Sequence, residues 1–150
     1  MMVQMILDLD LKGKRGLDMG SGTGVLAIAT CKCGAEAVDA VDIDDFAFEN
    51  CIENIATNGV AERITPMLGD VRAIAGRKYD FILANINRNI LLGDMDNYLK
   101  CLNPGGEIFF SGFLDSDVDA MTAASTSRGL TPHHQRHTNG WAALSFIKPL

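Results

Sequence analysis

The stretch Asp18-Met19-Gly20-Ser21-Gly22-Thr23-Gly24 decides the fold of this chain. Three glycines at alternate positions permit a sharp reversal between a strand and a helix. They also let a ligand reach backbone N–H groups that side chains would screen. Upstream, a short strand runs to Met19, weakened in its interior by Gly16. Downstream, Val25-Leu26-Ala27-Ile28-Ala29 starts a buried helix. Read alone, the loop leaves its purpose open. Gly22, Gly24 and Ala27 satisfy the G-x-G-x-x-G/A pattern of dinucleotide sites, and a purely structural tight turn has the same composition.

Outward from the loop, strand and helix patterns alternate, which predicts an α/β fold with a mostly parallel sheet. Met2, Met5, Ile6 and Leu9 fall at helical spacing, so the first ten residues read as an amphipathic helix that Lys12-Gly13-Lys14 breaks. Residues 37–41 form a second strand ending in Asp42-Ile43-Asp44. Asp45 is the expected N-cap of the next helix, with Phe48, Cys51, Ile52 and Ile55 as its apolar face and Asn58-Gly59 as its stop. Residues 64–68 are a third strand holding Pro66, which cannot donate to a ladder and so belongs at a sheet edge. Residues 79–84 read as a central strand. A helix over 90–101 follows, closed by Asn103-Pro104-Gly105-Gly106, then a strand over 107–111 and a helix over 117–128. Residues 130–137 and 141–147 flank Asn139-Gly140, the signature of a hairpin and hence of an antiparallel addition to the sheet. No linker or repeat divides the chain.

Electrostatics separates the possible ligands of the loop. A dinucleotide would set a doubly anionic pyrophosphate against it, and Asp18 would repel that group. S-adenosylmethionine carries a sulfonium and an ammonium beside one carboxylate. Asp18 can attract the ammonium, directly or through water, while N–H groups of the loop and helix start serve as donors. Asp42, Asp44, Asp45 and Asp70 add to the preference for a cation. Asp42, about 20 residues beyond the first glycine, is placed to accept both ribose hydroxyls. Gly69-Asp70-Val71, after the third strand, sets a carboxylate near the adenine amino group. The expected cofactor contacts are therefore Asp18, Gly20, Ser21, Gly22, Thr23, Gly24, Asp42, Ile43, Asp70 and Val71, together with Asn85.

Asn85-Ile86-Asn87-Arg88 ends the fourth strand, where open parallel sheets place their ligands. Methyl transfer is an in-line displacement at an activated carbon and needs alignment more than a strong acid or base. A lysine acceptor must first lose a proton, at roughly 4–5 kcal/mol at pH 7 from a reference pKa of about 10.4. The Asn85 amide oxygen can accept an N–H bond from the neutral amine and aim its lone pair, which makes Asn85 the expected catalytic residue. Asn87 and Arg88 are expected to face the substrate; the alternatives are a helix cap for Asn87 and simple exposure for Arg88. Ser111-Gly112-Phe113 either lines the substrate mouth or turns the chain.

Composition limits the remaining options. The chain is 150 residues long, 47% hydrophobic and 21% charged, the profile of one soluble domain. Its apolar runs are too short to span a bilayer, and Asp8 and Asp10 interrupt any secretory signal, so a cytoplasmic location is expected. A net charge of −6 argues against a nucleic-acid partner and for a cationic one. Cys31 and Cys33 lack a second pair at metal-ligand spacing, and the four cysteines read as small hydrophobes. His133 and His137 lie about 13 Å apart along a strand and cannot share one metal ion. Together with His134 they read as edge-strand residues, and no metal is expected.

The segments LDMGSGTGVLAIA, AVDID, GD at 69–70, YDFILANINRNIL and LNPGGEIFFSGF, with the closing Trp141 segment, resemble the PrmA family. These enzymes methylate bacterial ribosomal protein L11 and belong to the class I S-adenosylmethionine-dependent methyltransferases. The resemblance spans nearly the whole chain. It implies a Rossmann-like seven-stranded sheet of order 3-2-1-4-5-7-6, with strand seven antiparallel and helices on both faces. It also implies cofactor contacts at Gly20, Gly22, Asp42 and Asp70, an acceptor region at Asn85, and products methylated at lysine and α-amino nitrogens of a basic protein. Two departures carry expectations. The family's N-terminal substrate-recognition domain has no counterpart in these residues, so the chain is expected to be a single catalytic domain, truncated or stand-alone. Gly16 replaces a large aliphatic residue, so packing there is expected to loosen. The competing readings are a methyltransferase with another acceptor, a non-catalytic adenosyl-binding module, and, less favoured by Asp18, an NAD-dependent oxidoreductase.

Overall fold

A computed structural model describes residues 1–150. Seven strands form one sheet in the order β3-β2-β1-β4-β5-β7-β6. In chain order they are β1 (Arg15–Met19), β2 (Ala37–Asp42), β3 (Ile64–Leu68), β4 (Tyr79–Asn85), β5 (Leu102–Leu114), β6 (Thr131–Thr138) and β7 (Trp141–Ile147). The first five pair in parallel, and β7 runs antiparallel to both β5 and β6. The helices are α1 (Met2–Leu7), α2 (Val25–Lys32), α3 (Asp45–Thr57), α4 (Arg88–Cys101) and α5 (Val118–Thr126). The expected strand order and antiparallel seventh strand are those observed. No helix is long and apolar enough to cross a membrane.

The period-two alternation of strands sorts side chains between two cores. From β4, Ile82 and Ala84 join Leu91, Met95 and Tyr98 of α4 and Met121 of α5 on one face. Phe81 and Leu83 join Ile6 of α1, Ala27 and Cys31 of α2, and Ile55 of α3 on the other. Helices therefore cover both faces, and β4 is buried on both sides, as a continuous apolar strand requires. Pro66 sits on the edge strand β3, and β6 is exposed throughout its polar length. A polar edge of this kind discourages pairing with another chain. Asn139 and Gly140 both have positive φ, at 52° and 83°, as a type I′ hairpin turn demands. Cys31, Cys51 and Cys101 are buried, Cys33 is half-buried and all four are free thiols.

Several sequence expectations need adjustment. Asp44, not Asp45, caps α3 by accepting the Phe46 N–H at 3.0 Å. On that helix Cys51 and Ile55 are buried but Ile52 is exposed. Helix α4 starts two residues early, because Asn87 caps it. The Asn103-Pro104-Gly105-Gly106 segment is an irregular start of β5, where pairing with β4 shifts register between Tyr79 and Phe81. Gly16 does not loosen the core. A Cβ there would lie 2.0 Å from the Phe81 ring, which comes from the paired position on β4 and occupies that space.

Candidate active site

The glycine loop joins β1 to α2 over the carboxyl end of β2, with Gly20 and Ser21 N–H groups donating to the Val41 carbonyl at 2.8 and 3.0 Å. Gly20, Gly22 and Gly24 all have positive φ, between 55° and 87°. The first and last are also sterically obligatory. A Cβ on Gly20 would approach Ile86 to 2.8 Å, and one on Gly24 would approach the Cys51 sulfur to 2.9 Å. At Gly22 a Cβ would meet nothing within 4 Å, so this residue faces open space. Ser21 is buried and Thr23 is exposed; the Thr23 carbonyl accepts from Asn54 Nδ2 at 2.8 Å.

Asp18 lies beneath the loop with no exposed surface. One carboxylate oxygen, Oδ2, accepts the Ala27 N–H at 3.2 Å, while Oδ1 has no hydrogen-bond partner. Burial pushes its pKa up to about 7; the Ala27 N–H lowers it and the Asp42 charge raises it further. A buried carboxylate oxygen without a partner is costly, and an ammonium ligand would relieve it. Asp42 ends β2, with Oδ2 accepting the Gly22 N–H at 2.8 Å and Oδ1 the Asp44 N–H at 2.9 Å. It thus ties the loop to the second strand and retains lone pairs for a hydroxyl ligand.

A cleft of about 310 Å³ opens at the carboxyl ends of β1, β2 and β4. Gly20, Asp42, Ile43, Asp70, Val71 and Asn85 line it, so these residues far apart in sequence meet, whereas Asp18, Ser21, Gly22, Thr23 and Gly24 do not reach its wall. Asp70 is less free than the sequence suggests. It caps the 3-10 turn Val71–Ile74, and the Arg72 guanidinium forks onto it at 2.8–3.2 Å, holding its pKa below the usual carboxylate range. Ile90, Asp94 and Tyr98 form a stripe of α4 along the same cleft. Burial raises the Asp94 pKa, and the buried Tyr98 hydroxyl lies beside that carboxylate without a hydrogen bond of good geometry. Sequence reasoning missed this stripe. Its signal was the i, i+4, i+8 spacing, with an acid set between two apolar-bodied residues.

Asn85 borders a second cleft of about 420 Å³, whose lining includes Met1, Met2, Leu26, Ser111, Gly112 and Trp141. Asn85 is therefore the wall common to both spaces. Its Oδ1 accepts the Ser111 hydroxyl at 3.0 Å, which fixes the amide plane and leaves one lone pair on that oxygen. Gly112, at φ 91°, lets the backbone pass, since a Cβ there would stand 3.0 Å from Asn85 Oδ1. Ser111 and Gly112 thus line a cleft, while Phe113 is buried and helps floor a neighbouring space beside Arg88, Asp117 and Trp141. Arg88 is paired with Asp117 at 3.0 Å. The Asn87 side chain accepts the Ile90 N–H at 3.1 Å and so carries out its capping alternative.

Known proteins resemble this chain in sequence and in fold. The family model described as ribosomal protein L11 methyltransferase (PrmA) matches residues 1–149. The chain is 47% identical to the ribosomal protein L11 methyltransferase of Phocaeicola vulgatus over 146 residues, 97% of this chain and 52% of that protein. It is 46% identical to that of Porphyromonas gingivalis over 147 residues, 97% of this chain and 50% of that protein. The chain thus spans about half the length of these curated relatives. Among solved structures, the ribosomal protein L11 methylase of Lactobacillus delbrueckii subsp. bulgaricus superposes with a TM-score of 0.89 at 27% identity, covering 99% of this chain and 77% of that one. The Methanocaldococcus jannaschii tRNA m1G37 methyltransferase shares the fold, with a TM-score of 0.86 at 23% identity, covering 99% of this chain and 46% of that one.

Proposed function

The chain belongs to the ribosomal protein L11 methyltransferase family, and on that premise we propose that it is an S-adenosylmethionine-dependent N-methyltransferase core acting on amino groups of a basic protein. The observation that carries this reading is the buried Asp18 with its unpartnered Oδ1 beneath a glycine loop. A pyrophosphate would be repelled there, whereas an ammonium in the adjoining cleft would be attracted by the carboxylate and would favour its charged form. Asp42 suits ribose hydroxyls, and Ile43, Val71, Ile86 and Ile90 give the cleft apolar sides for a base. Asp70, held by Arg72, can still accept at its remaining lone pairs.

S-adenosylmethionine, when bound, supplies a methyl group on positively charged sulfur, a leaving group that departs neutral. The residues of this chain then need only deliver and align a neutral amine. Asn85 stands between the two clefts, so an acceptor entering past Trp141 meets its fixed amide oxygen. That oxygen takes one N–H of the amine and directs the lone pair toward the donor cleft. The acceptor cleft, open to solvent, would let the proton released from the amine leave. Trp141, about half exposed, offers a ring face to an incoming ammonium. Ribosomal protein L11, named in the relatives, is the acceptor to test first.

Calorimetric titration of the chain with S-adenosylmethionine and with NADH tests the cofactor, and transfer of labelled methyl to purified L11 tests the acceptor. Binding of the methyl donor alone, weakened at least tenfold by Asp42→Ala, is expected. NADH binding in its place would return the loop to the dinucleotide reading. Donor binding with no transfer to L11 or to any other basic protein would favour an adenosyl-binding module.

A further inference from the structure

Adjacent residues of a β-strand point to opposite faces, so His133 and His134 should be separated by the sheet. They are not. Strand β6 shifts register against β7 between Pro132 and His134, and the extra residue puts both imidazoles on one face with ring centroids 4.0 Å apart. Glu107 reaches the same spot from β5, on the far side of β7. It can do so because the intervening residue on that face is the small Ser145.

Ser145 is 1% exposed and organises the cluster. Its hydroxyl donates to Glu107 Oε1 at 2.7 Å and accepts the His134 backbone N–H at 3.1 Å, so one buried oxygen pins both the bulge and the carboxylate. His133 Nδ1 lies 2.7 Å from the same Glu107 oxygen. Glu107, His133 and His134 each bring a ligand atom within 4.8 Å of the others. Zinc bonds of about 2.0–2.2 Å place tetrahedral ligands about 3.3 Å apart. The two histidines are partly exposed, so side-chain rotation can close that difference.

We propose that Glu107, His133 and His134 form a binding site for a divalent transition-metal ion of the zinc class, with Ser145 orienting the carboxylate. Two imidazoles and one carboxylate suit such a borderline ion, leaving a fourth position for water or an external ligand. Ser145 supplies the supporting hydrogen bond that metal-bound carboxylates ordinarily receive. The site lies level with Phe81 and Gly16 at the start of the central strands, whereas Asn85 and Ser111 lie at their far end. It is therefore separate from the methyl-transfer clefts and does not depend on their function.

Titration of the 150-residue chain with Zn2+ by calorimetry, and with Co2+ by visible absorption, tests the proposal. One equivalent of each ion should bind, with the intense cobalt bands of a four-coordinate site. Affinity should fall at least tenfold in His133→Ala, His134→Ala and Glu107→Gln, and about 10–100-fold in Ser145→Ala. His137→Ala and Cys33→Ser should bind as the parent does. Absence of binding, or binding that survives His133→Ala but is lost in His137→Ala or Cys33→Ser, overturns it. Should a variant fail to fold, imidazole 15N shifts of the unaltered chain decide. Zinc must move those of His133 and His134 and leave His137 unmoved; any other pattern rejects the site.

Discussion

Asp18 and Asn85 show what single side chains are held to do. Asp18 is raised from 3.8 to about 7, mainly by burial. An acid whose folded pKa exceeds its unfolded one favours the native state at low pH. Between about 4 and 7 the unfolded chain has released the proton that the native chain retains, so this contribution falls as pH rises and levels off above 7. The span corresponds to about 4 kcal/mol at most. Asp18→Asn removes that dependence. Urea unfolding at pH 5 and pH 8 should show the variant gaining on the parent at the higher pH, while its affinity for S-adenosylmethionine drops at least tenfold. A variant that tracks the parent at both pH values would show Asp18 to be ionised and already satisfied. Asn85→Ala, in contrast, should weaken donor binding less than Asp18→Asn does and cut the transfer rate by about 10²-fold or more, the scale of a misplaced reacting group. Ser111→Ala should produce a smaller loss of the same kind, because it frees the Asn85 amide that the hydroxyl holds at 3.0 Å. Single-turnover transfer measured beside donor titration separates the two effects.

Between elements, the β1–β4 pair carries an exchange of bulk that neither strand reveals alone. Gly16 and Phe81 are register partners, and the ring fills the place where a side chain on β1 would stand. Gly16→Val should therefore cost about 1–3 kcal/mol by overpacking, and Phe81→Ala about 3–5 kcal/mol by leaving a cavity. The double variant should cost at least about 1 kcal/mol less than the two together, because the valine occupies space that the lost ring vacates. Equilibrium urea unfolding of all four proteins measures the coupling, and strict additivity would deny the exchange. Helix ends show a similar dependence on neighbours. The caps fall on Asp44 and Asn87 because these residues have extended backbone and side-chain oxygens within reach of the next turn's N–H groups. The sequence offers several polar candidates at each boundary and does not choose among them.

Across the whole molecule, the sheet order brings Gly20, the acids and Asn85 together at the carboxyl ends of the strands, and this much was legible in the sequence. The glycine spacing, Asp42 after the second strand, Pro66 and the Asn139-Gly140 turn each report a local constraint that survives in the fold. What was not legible depends on distant partners. Nothing near Asp70 in sequence shows that Arg72 will fork onto it rather than turn to solvent. Asp94 and Tyr98 read as ordinary helix residues until α4 is laid along the cleft. The union of His133 and His134 needs a bulge that strand periodicity denies. Because the donor cleft is assembled from β1, β2, β4 and α4 together, a ligand seated in it binds only the folded chain. A one-site ligand at a hundred times its Kd adds about 2.7 kcal/mol to folding stability, which raises Tm by roughly 5–10 °C for a protein of this length. S-adenosylmethionine and S-adenosylhomocysteine should both produce that shift, since both carry the ammonium proposed to be drawn by Asp18, and NADH should produce none. Asp18→Asn should abolish about half of the shift or more without abolishing the unfolding transition itself. A full shift in that variant would mean that the ligand is held by the ribose and base contacts alone, and would remove the ammonium from the account of the site.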